Sequence, residues 1–297
     1  MKKFGIIGAG VVGTALGIAL CERGWELCGI FDSLPTASQN LAERTGGPVL
    51  HRAAEVAAKT ELLFITTNDS NIEKIAEQLK AEAAFQPEQV IVHMSGAQTS
   101  ESLAGARAFG ARVLSVHPLQ SFANPEMAMQ NLPGSMFSIE GESEAYDVAV
   151  DLVETLGGEY FFIDQRSKPL YHAGACVVSN YLVTLVDFGV RLLESTGIPR
   201  ELAIKALSPL INGTISNLDK VGIAKALTGP IARGDYSTIT KHLNCLAEQA
   251  PELLPLYSHL GMETIRIATS KGSIGEAEIA ILQKLFNQEL NSMSNTN

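Results

Sequence analysis

Over its first half the chain alternates short apolar runs with segments whose apolar residues recur at helical spacing. Residues 2–7, 27–31, 62–66, 89–93, 112–116, 137–140 and 159–163 each read as a strand, with a shorter one at Val49-Leu50. Helix-periodic segments fall between them, near residues 11–23, 37–45, 71–80 and 143–156. Strands alternating with helices predict a mostly parallel, doubly wound α/β sheet. After Ser167 only helical patterns follow, near residues 168–195, 200–211, 216–227, 236–249, 252–270 and 275–290. The first of these is apolar nearly all round from Ala173 to Val190. Such a helix is expected to be buried, either centrally in its domain or in a dimer interface. The predicted organisation is a sheet domain over residues 1–164 and an all-helical domain over residues 165–297, with a polar, frayed tail over 291–297.

The first predicted strand runs straight into Gly8-Ala9-Gly10-Val11-Val12-Gly13, which opens a helix, and the next strand ends at Asp32. A glycine-rich turn alone is common. Strand, glycine turn, helix, strand and terminal acid in one unit point to a dinucleotide site. Gly8 permits the tight turn, Gly10 lets backbone approach a pyrophosphate, and Gly13 lets helix and strand pack closely. The N–H groups around Val11 and Val12 would receive the pyrophosphate, where the helix dipole favours anions. Asp32 would accept from the adenosine ribose hydroxyls, with Ser33 beside it. A carboxylate there favours NAD over NADP, because it repels a 2′-phosphate. Ser33 and the nearby Arg44 and Arg52 pull the other way, since Ser and Arg can hold a phosphate.

In open α/β sheets ligands bind beyond the carboxyl ends of the strands. Those ends carry Thr66-Thr67-Asn68, then Ser95-Gly96, then His117. They are expected to line the nicotinamide side of the cleft. Asp69 or Ser70 has the plainer reading of a helix N-cap.

Composition narrows the function further. The 297 residues suffice for one large domain or two ordinary ones, and 46% hydrophobic against 18% charged residues provides a substantial core. The net charge of −10 and the lack of any Lys/Arg cluster argue against nucleic acid or an anionic membrane as partner. No run reaches the roughly 18 uninterrupted apolar residues of a membrane span. The chain opens on a strand with no signal peptide ahead of it, so a cytoplasmic location is expected. Cys21, Cys28, Cys176 and Cys245 show no C-x-x-C spacing and read as reduced core residues, with no metal site.

The long helix adds candidate chemistry. Ser167 would cap it and Pro169 fits its first turn. Lys168 and His172, four residues apart, share a face that continues through Ala175 and Ser179, with Asn180 at its edge. Carbonyl reduction needs a hydride and a proton, and Lys168 or His172 would supply the proton. The alternative is a core histidine and a surface lysine at a helix start. Further on, Thr228-Gly229-Pro230 leads to Arg233-Gly234-Asp235. Asp235 suits an N-cap. Arg233 would hold a substrate carboxylate bidentately, with Thr228 and Ser179 beside the substrate, or it ties down its loop by an ion pair.

Five segments together carry a resemblance: residues 93–97 (HMSGA), 117–122 (HPLQSF), 168–173 (KPLYHA) with 179–181 (SNY), 226–235 (ALTGPIARGD), and His242-Leu243. The chain resembles, over about residues 2–270, the Rossmann-like proteins that carry the helical domain DUF2520. That family is similar in plan to pyrroline-5-carboxylate reductase, 3-hydroxyacid dehydrogenases and ketopantoate reductase. The resemblance implies an NAD(P)-dependent oxidoreductase acting on a small molecule. In the related dehydrogenases a Lys and an Asn four residues on serve the substrate oxygen; here His172 stands where that Asn would be. Lys168 and His172 are then expected to face the nicotinamide, with Ser95, His117 and Asn180 nearby. The leading expectation is reduction of a carboxylate-bearing ketone, with ketopantoate-like 2-keto acids first, by a homodimer. The alternatives are a cyclic-imine reductase and a dinucleotide sensor without turnover, which needs no proton donor.

Overall fold

The structure, a computed structural model, describes residues 2–294. Seven strands form one sheet: β1 (Lys3–Ile7), β2 (Glu26–Phe31), β3 (Leu62–Ile65), β4 (Val90–His93), β5 (Arg112–Pro118), β6 (Met136–Gly141) and β7 (Glu159–Phe162). Their order is β2-β1-β3-β4-β5-β6-β7. All neighbours run parallel except β5 and β6, which pair antiparallel with Val116 opposite Ile139. Side chains alternate between two cores, as the two-residue period of a strand requires. Phe4, Ile6, Leu62, Phe64, Val90 and Val92 point into one, while Ile7, Leu63, Ile65 and Ile91 point into the other. Both faces are covered, by α1 (Val11–Glu22), α2 (Pro35–Thr45), α3 (Ala53–Ala57), α4 (Asp69–Ala81), α5 (Pro125–Asn131) and α6 (Tyr146–Thr155). The mostly parallel α/β expectation is met. The strand expected at Val49-Leu50 is only an isolated bridge from Val49 to Ile30. The stretch Ser100–Phe109 forms 3-10 turns.

Five helices follow: α7 (Lys168–Glu194), α8 (Arg200–Ala226), α9 (Tyr236–Gln249), α10 (Leu254–Lys271) and α11 (Glu276–Ser294). The two helices expected over 200–211 and 216–227 are one run, broken only at Gly222, where φ is 74°. By packing, the chain divides after Ser179, later than the last strand, because the first turns of α7 belong with the sheet. The second unit has its own core of Phe188, Ile239, Leu243, Leu253, Ile265, Leu282 and Phe286. The tail expected to fray is helical through Ser294, and its last three residues lie outside the described residues.

Of the two places expected for the apolar helix, packing within the chain rules out the centre of the domain. The apolar middle of α7 is not buried: Val178 and Val183 are each 71% exposed, and Val177 and Tyr181 also face outward. On α8, Leu210, Ile215 and Ile223 are exposed as well. Periodicity reports that a helix is apolar on every side but does not provide the surface that covers it. Among the described residues the segment Gln165–Glu194 is the one helix long and apolar enough to cross a membrane, with a mean hydropathy of 1.5. Cys245 is likewise exposed, whereas Cys21, Cys28 and Cys176 are half-buried.

A buried polar network anchors the start of α7 to the sheet. Asp164 caps the entering turn, accepting from the Arg166 N–H at 2.8 Å, a part expected of Ser167. Lys168 is fully buried and donates to the Ser115 hydroxyl on β5, which excludes the surface-lysine alternative. Glu140 on β6, also buried, accepts from the N–H and the hydroxyl of Ser100 at 2.8 and 2.7 Å. His93 is clamped at both ring nitrogens: Nε2 lies 3.0 Å from the Thr99 carbonyl, and Nδ1 accepts from the Ser95 N–H at 3.2 Å. Burial, helped by the nearby Lys168 charge, pushes His93 down to about 3. Burial also pushes Lys168 down to about 8, against the attraction of Glu140 and Asp69.

His93 therefore binds its proton less readily folded than unfolded. Its contribution to stability is complete above pH 6.5 and is lost as pH falls toward 3. Each such proton is worth about 1.4 kcal/mol per pH unit inside that window. His93→Gln keeps a donor for Thr99 but does not titrate, so its stability should fall less steeply between those limits. Denaturant unfolding as a function of pH measures this, and equal slopes for the two proteins would show that His93 is not held neutral.

Candidate functional site

The ends of β1, β2 and β3 build the first part of the site. Gly8 has φ 103°, and a Cβ there would lie 2.6 Å from the Thr67 nitrogen. A Cβ on Gly13 would lie 2.0 Å from the Gly8 carbonyl oxygen. Gly10 differs: nothing lies within 4 Å of where its Cβ would be. Two of the three glycines are thus required by packing, and Gly10 opens onto free space. Gly10 is the N-cap of α1, with no side-chain cap and no acidic residue in the first turn. The N–H groups at Val11, Val12 and Gly13 therefore begin the helix without an anionic partner of their own. Thr66 donates to the Gly8 carbonyl at 2.7 Å and ties β3 to the turn.

Gly10 borders two cavities. One, of about 460 Å³, is lined by Gly8, Asp32, Ser33, Thr66, Thr67, Asn68 and, from α4, Asn71 and Lys74. The other, of about 520 Å³, is bounded by Ala9, Val11, Thr14, Arg44 and Glu126. Asp32 is turned back to the backbone: it accepts from the Ala9 N–H at 2.7 Å and from the Leu34 N–H at 2.8 Å. Arg44 is paired with Glu126 at 2.9 Å, and Arg52 is paired with Glu82. Both arginines are engaged by surface carboxylates. Asn68, not Asp69 or Ser70, is the N-cap of α4.

The ends of β4 and β5, with the first turns of α7, build the second part. His117 lies with Nδ1 2.8 Å from the Tyr171 hydroxyl and its ring edge-on to His172, centroids 6.1 Å apart. Burial, then the charge of Lys168, pushes His117 down to about 4. Burial raises the Tyr171 phenol above its ordinary value. His172 Nε2 lies 3.5 Å from the Cys176 sulfur, while its Nδ1 is buried with no hydrogen-bond partner. Gly96 makes this arrangement possible, since a Cβ there would lie 2.5 Å from His172 Nδ1 and 2.8 Å from His117 Nε2. The Ser95 hydroxyl accepts from the N–H groups of Ala97 and Gln98 at 3.2 and 3.0 Å, closing the turn around Gly96.

The structure thus brings Ser95, Gly96, His117, Lys168 and His172 into one cluster, with Lys168 at its floor and fully enclosed. Ser179 and Asn180 are exposed further along α7. Thr228 and Arg233 are exposed in the second unit, and Arg233 makes no ion pair among the described residues. Asp235 caps α9 as expected, accepting from the Thr238 N–H at 3.0 Å. Sequence reading passed over Glu140 and Ser115 and gave Tyr171, quoted within the KPLYHA segment, no role of its own. Glu140, a carboxylate closing an apolar strand, left a signal; Ser115 left none. Among the described residues no three His, Cys, Asp or Glu side chains gather where a metal would sit.

No curated protein matches the chain by sequence. Solved structures do match. Protein TM1727 of Thermotoga maritima is 26% identical with a TM-score of 0.71, over 90% of this chain and 99% of that one. BF3122 of Bacteroides fragilis, described as a candidate NADP oxidoreductase, is 21% identical with a TM-score of 0.68, over 91% of this chain and 97% of that one. An imine reductase from Pseudomonas sp. is 18% identical with a TM-score of 0.60, over 98% and 94%. The likenesses at 21% and 18% identity establish shared fold. Residues 1–118 match the family model of the Rossmann-like domain and residues 135–264 that of DUF2520, a domain of unknown function, so the chain carries the one followed by the other.

Proposed function

We propose that the chain is a nicotinamide-dinucleotide-dependent oxidoreductase that reduces a small carboxylate-bearing ketone, with ketopantoate-like 2-keto acids the leading class. One observation carries the reading. The uncapped α1 N-terminus at open Gly10 and the His117–Tyr171–His172 cluster stand along the same edge of the sheet, beyond the ends of parallel strands. That is where open α/β sheets bind ligands. The names of BF3122 and the imine reductase support the oxidoreductase class.

In this reading the N–H groups of Val11, Val12 and Gly13 hold a pyrophosphate, and Asp32 and Ser33 meet the ribose. Thr66, Thr67, Asn68, Ser95 and Gly96 continue the line toward the nicotinamide. A bound nicotinamide would supply hydride, and the chain's own residues supply orientation and a proton. His172 is the better proton donor of the two candidates, because it is half-buried while Lys168 is enclosed. Lys168 positions the cluster from below. Ser179, further along α7, is proposed as a polar substrate contact. Asp32 taken alone favours NAD. Its carboxylate is already engaged by two backbone N–H groups, however, which moves the choice of cofactor to the rest of the cavity. A cyclic imine is the alternative substrate, favoured by the likeness to an imine reductase. The free cysteines suit a reducing, cytoplasmic setting. The exposed apolar faces of α7 and α8 suit a homodimer, since patches of that kind mark interaction sites.

Three outcomes test this. Gly10→Val should fold normally yet lose dinucleotide binding, whereas Gly13→Ala should lose about 3 kcal/mol or more of stability by forcing a Cβ onto backbone. Calorimetric titration and thermal melts measure the pair, and tight binding by folded Gly10→Val would refute the site. His172→Ala should lower turnover of a keto-acid or cyclic-imine substrate by about 10²–10⁴ while leaving dinucleotide affinity within about twofold. Undiminished turnover in folded His172→Ala would remove the proton donor, and turnover on neither substrate class by the parent would leave the sensor. Val178→Glu with Val183→Glu should convert a dimer to a monomer in sedimentation velocity. A parent that already sediments as a monomer would overturn the dimer.

A further inference from the structure

We propose that Lys74 holds the 2′-phosphate of NADP against Ser33 and so decides which dinucleotide the chain prefers, an assignment that rests on the dinucleotide reading above. The 460 Å³ cavity beside the glycine turn is closed by the loop after β2 on one side and by α4 on the other. In a site of this plan the adenosine ribose lies at the end of β2. A carboxylate there disfavours a phosphate by its charge and its free lone pairs, and backbone donors or a nearby cation weaken that effect. Asp32 has committed one oxygen to the Ala9 N–H and the other to the Leu34 N–H. The Ser33 hydroxyl, 3.4 Å from the same carboxylate, reaches it only loosely.

Lys74 is the one basic residue lining this cavity. It stands a helical turn beyond Asn71, whose amide oxygen is 3.4 Å from its ammonium. It is exposed and forms no ion pair among the described residues, in contrast to Arg44 and Arg52, which are each paired with a surface carboxylate. A lysine makes a point-charge phosphate partner, and a phosphate offers it several acceptor oxygens. The remaining wall suits the base. Leu34 is 65% exposed at the cavity, a large apolar side chain left uncovered, and Ile75 lines it from α4. A purine ring would cover both.

Calorimetry with NADPH, NADH, adenosine 2′,5′-bisphosphate and adenosine 5′-monophosphate tests the assignment on the full chain. The parent should bind NADPH more tightly than NADH. Lys74→Gln should weaken NADPH and the bisphosphate about tenfold, equivalent to about 1.4 kcal/mol, and leave NADH and the monophosphate within about twofold. Lys74→Arg should restore the preference. The bisphosphate difference should shrink as salt is raised, because the pair is exposed. Equal loss for NADPH and NADH, no loss for either, or a parent that prefers NADH would each overturn the role of Lys74 while leaving a dinucleotide site in place. A parent that binds neither dinucleotide would overturn the site itself, and this assignment with it.

Discussion

A lysine ammonium with no exposed surface is the most demanding group in this protein. Burying a charge costs several kcal/mol even after relaxation, and the cost is recovered only if the surroundings are fixed and polar. Lys168 meets that condition with the Ser115 hydroxyl on β5 and with the nearby charge of Glu140 on β6, which in turn holds the start of the 3-10 stretch at Ser100. Four segments distant in sequence are therefore tied to one point. The first turn of α7 cannot slide or rotate without exposing or orphaning that charge. Helical geometry then places Tyr171, His172 and Cys176 without further adjustment.

The glycine turn follows a different logic. There the demand is steric: Gly8 and Gly13 are pressed against backbone and against each other's neighbourhood, while Gly10 has room. Close packing on one side of the turn is what leaves open backbone on the other. The sheet edge thus carries two neighbouring regions, one with unpartnered helix N–H groups suited to anions and one with half-buried imidazoles and a phenol suited to proton chemistry. Parallel strands align both on the same edge, and the antiparallel step from β5 to β6 comes only after the second region is complete.

Much of this could be read from residues alone, and the reasons for the rest are specific. The strands were legible because a strand covered on both faces is apolar throughout, and the glycine unit because its spacing is tied to a chemical task. The reversal at β6 was not, because an apolar run carries no direction. The depth of Lys168 was not legible either: a lysine at a helix start is ordinarily solvated, and only Glu140 hinted at a partner for it. The sequence located Asp32 correctly at the end of β2, but the hydrogen bonds that turn its carboxylate inward depend on the exact path of residues 8–9 and 32–34. The exposed face of α7 shows the same limit in reverse, since pattern reveals what needs covering but not whether this chain covers it.

Gly96 has a consequence that reaches beyond its turn. Two imidazoles rest against a position that holds no side chain, so His117 and His172 are spaced by an absence. Residues 96, 117 and 172 are then not independent variables. A methyl group gained at one requires volume given up at another, and a ring replaced by a smaller group leaves a void the backbone at 96 does not fill. Divergent relatives built on this plan should therefore change these three positions together or not at all, which makes their covariation a record of how the pocket has been re-proportioned.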